Sequence, residues 1–109
     1  MTITQMPVLG SDVRQVSDIN PVVLDARYFG VRVYLCNCPG LVMFPPTSTT
    51  ISGDTMQSAP LTRIANKRSS GSVGVYQVDT INIVVTLAAP GNWAEIYWNG
   101  TAWAVLCQG

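Results

Sequence analysis

The sequence predicts an all-β protein: a single antiparallel β-sandwich or jelly-roll-like domain preceded by an extended N-terminal arm. Three observations predict it. From Pro21 onwards, short apolar or alternating runs recur between clusters of Gly, Pro, Asn and Ser, the texture of strands joined by turns. Apolar residues nowhere recur at i, i+3, i+4 and i+7 over a useful length, so little helix is expected. Near the C-terminus, Asn99-Gly100 separates the apolar runs Trp93–Trp98 and Thr101–Leu106. Asn-Gly in that setting is the strongest short-range hairpin signal, because a type I′ turn needs positive φ at both central residues. With 109 residues, the chain can bury roughly two-thirds of its unfolded surface in one domain.

Residues 1–20 differ from the rest. Isolated aliphatics (Ile3, Met6, Val8, Leu9, Val13, Val16, Ile19) are spaced by Thr, Gln, Ser and Asp, with Pro7 and Gly10 among them, which reads equally as an extended arm lying on a neighbouring subunit and as a first strand pair or frayed terminus. Residues 21–109 form the expected β module. Pro21–Asp25 is a short apolar strand, and Gly30–Leu35 alternates, with Val31, Val33 and Leu35 on one face and Arg32 and Tyr34 on the other. Cys38-Pro39-Gly40 is a turn, and Leu41–Phe44 is a strand halted by Pro45-Pro46, since proline cannot donate to a ladder. Thr47–Pro60 is polar and reads as a long surface loop or crossover. Thr62–Asn66 and Ser72–Tyr76 flank Lys67–Gly71 and are expected to pair as a hairpin. Asp79–Leu87 is the longest β-branched run, and Pro90-Gly91-Asn92 turns the chain into the tryptophan hairpin.

With Asn99 and Gly100 as a two-residue loop, Trp98 faces Thr101, Ile96 faces Trp103 and Ala94 faces Val105 on a wholly apolar side. Tyr97/Ala102, Glu95/Ala104 and Trp93/Leu106 share the other side. A surface hairpin needs one dry face, so a second, nearly apolar face implies another sheet or another subunit. Composition agrees: charged residues make up 11% of the chain and hydrophobic ones 48%, against about 25% charged in an average soluble domain. Such a surface is best explained by burial in an assembly.

Several functions are disfavoured. Six basic and six acidic side chains give zero net charge, so the basic stripe of a nucleic-acid binder is missing. The cluster Arg63, Lys67 and Arg68 beside Ser69-Ser70-Gly71 reads as a solvated loop. No apolar run approaches the ~20 residues of a membrane span. No basic-then-hydrophobic leader precedes the domain, so the mature chain is expected to start at or near Met1. Without histidine, a His-based triad is excluded. The acids Asp12, Asp18, Asp25, Asp54, Asp79 and Glu95 are scattered and form no local pair, where a glycosidase needs two carboxylates close together. No enzyme, cofactor or metal is therefore expected. Cys36, Cys38 and Cys107 cannot complete the four ligands of a closed zinc site, and read as free thiols in a reducing cell. Asn99-Gly100-Thr101 matches an N-glycosylation acceptor but reads as turn chemistry.

The ordered set Leu41–Pro45, Ile64–Val75 (Ile-x-Asn-Lys-x-Ser-Ser-Gly-Ser-Val-x-Val), Thr80-Ile81-Asn82, Pro90-Gly91 and Trp98–Trp103 resembles a β module of virion proteins of tailed bacteriophages. That module recurs in tail-fibre and tailspike segments, head fibres and small capsid-decorating proteins, and the likeness spans Val22 to Leu106. The resemblance implies a sandwich or jelly-roll-like unit that commonly forms homotrimers and uses an exposed edge or tip for attachment. Repeats, heptads and a long shaft are absent, which favours a small decoration (cement) protein. It would be made in the host cytoplasm and bind the outer capsid as a homotrimer, its partners being the major capsid protein or other virion proteins. The alternatives are a head-fibre or tail-fibre attachment module and a carbohydrate-binding sandwich that takes a host-surface glycan on Trp93 and Tyr97. Expected subunit-interface residues are Trp93, Glu95, Tyr97 and Leu106. Ile3, Met6, Val8, Leu9, Val13 and Val16 are the expected capsid contacts.

Overall fold

In the computed structural model, residues 13–24, 31–46 and 61–109 are described in full, together with the backbone of strands within 48–57. Eleven strands follow in order: β1 (Val13–Ser17), β2 (Val22–Leu24), β3 (Val33–Asn37), β4 (Gly40–Met43), β5 (Ser48–Ile51), β6 (Asp54–Gln57), β7 (Leu61–Asn66), β8 (Val73–Tyr76), β9 (Ile83–Leu87), β10 (Trp93–Trp98) and β11 (Trp103–Gln108). They form a five-stranded sheet ordered β1-β3-β7-β10-β11, a four-stranded sheet ordered β2-β4-β8-β9, and the separate hairpin β5-β6. The protein is thus all-β with two principal sheets, as the sequence predicts, and no helix occurs among the described residues.

The pairing departs from an antiparallel sandwich. Successive strands alternate between the sheets, so β1, β3 and β7 stack in parallel in one while β2, β4 and β8 stack in parallel in the other. A parallel pair needs a crossover of a dozen or more residues, and here the crossover is itself a strand of the opposite sheet. The result is three flat coils, β1/β2, β3/β4 and β7/β8. Then β9 runs back along β8, β10 runs back along β7, and β11 pairs antiparallel with β10. A jelly roll would have none of these parallel ladders.

The expected hairpin between Thr62–Asn66 and Ser72–Tyr76 is therefore replaced by a corner between sheets. Asn66 is fully buried and anchors that corner. Its Nδ2 donates to the carbonyls of Gly71 and Leu87, both at 3.0 Å, and its Oδ1 accepts the Arg68 N–H at 2.9 Å. Its backbone N–H donates to Asn92 O, and its carbonyl accepts the Gly91 N–H. Gly71 (φ 96°) makes the left-handed step that a side chain would strain, and Arg68 Nη1 donates to Ser72 O at 2.6 Å. Each strand then brings its own buried alternate residues inward from opposite sides, Thr62, Ile64 and Asn66 from β7, Val73 and Val75 from β8. Two strands of one hairpin would lie in one sheet.

The core lies between the sheets, with Leu41, Val73, Val75 and Leu87 of one meeting Ile64, Ile96 and Cys36 of the other. The inward face of β3 is Tyr34 and Cys36, while Val33 and Leu35 are half-buried on the outside. Alternation alone marks the two faces of that strand without saying which is dry. The expected boundary at residue 20 falls inside the first coil. Val13–Ser17 is an edge strand paired with β3, Val16 packs in the core at 5% exposure, and Ile3, Met6, Val8 and Leu9 lie outside the described residues. The segment expected as a loop at Thr47–Pro60 contains the β5-β6 hairpin, inserted between β4 and β7.

The last hairpin forms with a longer loop than expected. Trp98 pairs with Trp103, Tyr97 with Ala104 and Ile96 with Val105, leaving a four-residue connection, 99–102. Gly100 has positive φ (101°) but Asn99 does not, so the type I′ turn is absent. Instead the Asn99 side chain accepts the N–H groups of Thr101 and Ala102, both at 2.9 Å, an Asx-type closure. The lengthened loop shifts every cross-strand partner. Trp98 and Trp103 meet edge to face at 5.7 Å, a favourable aromatic geometry.

Candidate functional site

The outer face of the five-stranded sheet gathers the residues singled out from the hairpin. On β10, Ala94 and Ile96 are fully buried, whereas Trp93, Glu95 and Tyr97 alternate with them on the outside, because successive side chains leave a strand on opposite faces. The register then sets their neighbours. Glu95 lies between Arg63 of β7 and Cys107 of β11, Trp93 lies beside Ala65, and Tyr97 beside Leu61. The same rows continue through Val33 and Leu35 of β3 to Val13 and Gln15 of β1.

At the centre sits a small polar cluster. Arg63 Nη2 is 3.2 Å from Glu95 Oε2, and its guanidinium lies 4.8 Å from the Trp93 ring centroid, a cation–π arrangement. The Cys107 thiol donates to Glu95 Oε1 at 3.0 Å. That hydrogen bond and the nearby Arg63 charge hold the Glu95 carboxyl below its ordinary range. Reciprocally, the carboxylate holds the Cys107 thiol above its ordinary range, so both partners keep the protonation states that suit the bond. The cluster cancels its own charge. Around it the face is apolar, with Val13 44%, Leu61 47% and Tyr97 37% exposed.

Two expected site residues are placed elsewhere. Leu106 is 58% exposed but does not face Trp93. The register steps from Ile96↔Val105 to Glu95↔Cys107, making Leu106 the extra residue of a β-bulge. Trp93 instead exchanges both backbone hydrogen bonds with Gly109 at 2.9 Å. Val16, expected on the capsid, is committed to the domain's own core. Arg63 falls in the expected strand Thr62–Asn66 and in the basic cluster with Lys67 and Arg68, but its pairing with Glu95 depends on a ladder between two segments distant in sequence, which local spacing does not encode.

The cysteines divide by environment. Cys36 and Cys38 are buried free thiols, and Cys107 is exposed. The Cys38 sulfur beside it and burial together push the Cys36 thiol far up, which keeps it protonated and inert. Cys38 Sγ donates to Gly40 O at 3.4 Å, so this thiol is tied to the turn that joins β3 to β4.

Among the described residues no helix is long and apolar enough to cross a membrane. Comparison with protein-family models, with curated proteins and with solved structures returns no match.

Proposed function

We propose that the chain is a structural protein of a tailed-bacteriophage virion, a decoration (cement) protein that binds the outer capsid surface as a homotrimer and stabilises the head. The supporting observation is the outer face of the five-stranded sheet, where apolar side chains surround an ion pair already neutralised within the chain. Covering such a face costs less than burying either charge alone, because Arg63 and Glu95 carry their counter-charges with them. Low overall charge and the ordered phage-like motif set point the same way. The role is non-catalytic: the face offers contact area rather than a reacting group.

In a closed three-fold ring each copy presents the same patch to its neighbour. A trimer seated where capsomers meet on a local three-fold axis then contacts each of them once and gains avidity. Binding to the assembled lattice and not to separated capsomers stabilises the lattice by mass action. Residues Trp93, Glu95 and Tyr97, with Arg63 and Leu61, form the proposed subunit interface, and the N-terminal segment that leads into Val13 is the proposed capsid contact.

Light scattering on the eluting protein is expected to give three chain masses, and the trimer is expected to co-sediment with capsids that lack it. Capsids reconstituted with the protein should survive heating that ruptures bare ones. A monomer at all concentrations, or no gain in capsid survival, overturns the reading.

A further inference from the structure

A second site stands at the loop end of the last hairpin, with a lining distinct from the outer-face cluster. A cavity of about 310 Å³ opens there between three connections: the residues after β4, the 77–82 turn and the 99–102 loop. Its apolar lining includes Met43, Trp98 and Ala102, and its polar lining includes Asp79, Asn82 and Thr101 beside Gln77. This volume is at the lower end of small-molecule sites, roughly 300–1,000 Å³, which suits one ring.

The three walls are tied together through Trp103. Its backbone N–H donates to Gln77 Oε1 at 3.1 Å and its carbonyl accepts Gln77 Nε2 at 2.8 Å, fixing the 77–82 turn to the start of β11. Its indole N–H donates to Phe44 O at 3.1 Å, fixing the end of β4, and its ring abuts Trp98. Within the turn, the Asp79 carboxylate accepts the N–H groups of Ile81 and Asn82, both at 2.9 Å, and the Asn82 amide. Thr80 between them takes the left-handed conformation, φ 62°. Those donors hold the Asp79 carboxyl below its ordinary range, the Asn82 N–H contributing most, so its oxygens are charged acceptors at neutral pH.

We propose that this cavity binds a neutral pyranose ring of a surface glycan, the ring's C–H face on Trp98 and its hydroxyls on Asp79, Asn82 and Thr101. Flat aromatic surface complements the apolar face of a sugar, and a carboxylate is a strong acceptor for hydroxyl donors. Among the described residues the lining contains an acid and no Lys or Arg, which selects neutral over acidic sugars by charge. The platform is Trp98, half-buried beside the loop, not the Trp93 and Tyr97 expected from the sequence. The site is independent of the proposed trimer, since it uses neither Arg63, Glu95 nor Tyr97.

The test is an amide and indole NMR titration of the intact protein with methyl glucopyranoside, mannopyranoside, galactopyranoside and N-acetylglucosaminide, with methyl glucuronoside as the acidic comparison. At least one neutral sugar is expected to give saturable shifts at the Trp98 indole and the Asp79, Asn82 and Thr101 amides, with a Kd in the millimolar range, about 1–10 mM. The glucuronoside is expected to bind about tenfold more weakly, which corresponds to about 1.4 kcal/mol. Trp98→Ala should abolish the shifts. Ala102→Leu, which fills the cavity from its rim and leaves the tryptophan pair intact, should do the same, whereas Trp93→Ala should leave them unchanged. A tighter response to deacylated lipopolysaccharide than to peptidoglycan fragments assigns the ring to an outer polysaccharide, and the reverse assigns it to cell wall. The proposal is overturned if no neutral sugar gives saturable shifts up to about 50 mM, if the shifts survive Ala102→Leu, or if they map to Trp93 and Tyr97.

Discussion

The two sheets treat the centres of their outer faces in opposite ways. On the four-stranded sheet, Gly40 and Gly74 are ladder partners, and the Tyr76 ring lies across them, so close that a Cβ on Gly74 would sit 2.9 Å from it. Val42 beside them is 6% exposed. Here the sheet covers itself, a flat platform of two glycines accepting a ring from the same strand. The five-stranded sheet carries Leu61, Tyr97, Val13 and Trp93, projecting outward around Arg63 and Glu95. The centre of the four-stranded face is finished by intramolecular packing, with Val23 and Ile83 at its two sides left 39% and 55% exposed, whereas the centre of the other face is built of projecting side chains. The difference teaches where a partner fits: at the centre of the five-stranded sheet it meets projecting large side chains around an ion pair, whereas at the centre of the four-stranded sheet it meets a ring already packed on two glycines.

The largest expected effect breaks the finished face. Gly74→Val forces Tyr76 off its platform and should lower stability by about 1–3 kcal/mol, read as a drop in urea midpoint, with the oligomeric state unchanged in the protein that remains folded. Substitutions on the open face should do the converse. Leu61→Asp combined with Tyr97→Asp places charges where neighbouring copies would meet. Light scattering is expected to show monomers, while the monomer's own stability changes by only about 0.5 kcal/mol per site. If both faces respond alike, the asymmetry has no functional meaning.

Smaller effects sharpen the view of the central cluster. Glu95 is held below its ordinary value of 4.5, so its contribution to stability is fully present above that value and is lost as pH falls through the lower, folded-state value. Thermal scans in the acid range should show this loss in the parent protein and less of it in Glu95→Gln. Asp79, held low in the same sense, contributes equally to both. The smallest effect is kinetic. Because the Glu95 carboxylate keeps the Cys107 thiol protonated, alkylation of Cys107 at mildly alkaline pH should be slow for an exposed thiol. Glu95→Gln should speed it, while Cys36 and Cys38 stay unmodified until the protein unfolds.

Much of the fold was legible in the residues. Most strand positions outside β5 and β6, the halt at Pro45-Pro46, the turns at Gly91 and Gly100 and the alternation that turns Trp93, Glu95 and Tyr97 outward follow from local chemistry, while the run Asp79–Leu87 is strand only from Ile83. The choice of partner strand is not local. Thr62–Asn66 and Ser72–Tyr76 look like a hairpin because each alternates and a glycine lies between them. In the structure they pair with distant strands of different sheets, and the buried Asn66 amide at the corner between them reaches Leu87, twenty-one residues away. The same reason hid Arg63 from the cluster around Glu95 and hid the Trp98 cavity, whose walls come from three distant connections. The misplaced Leu106 has a different origin: a bulge and a four-residue loop both alter the count along β11, and neither leaves a mark in residue type.

Alternation between sheets also dictates how the molecule comes apart. Since β1 and β2, then β3 and β4, then β7 and β8 lie on opposite walls, neither wall can be peeled away by itself; a tug on the N-terminal side must strip both a coil at a time, each loss exposing the next rung. The reversed strands β9, β10 and β11 act as the anchor of that ladder, with Asn66 as the rivet that joins the third coil to the turn ahead of them. Hydrogen exchange should therefore run as a gradient, fastest in β1 and β2 and slowest around Asn66.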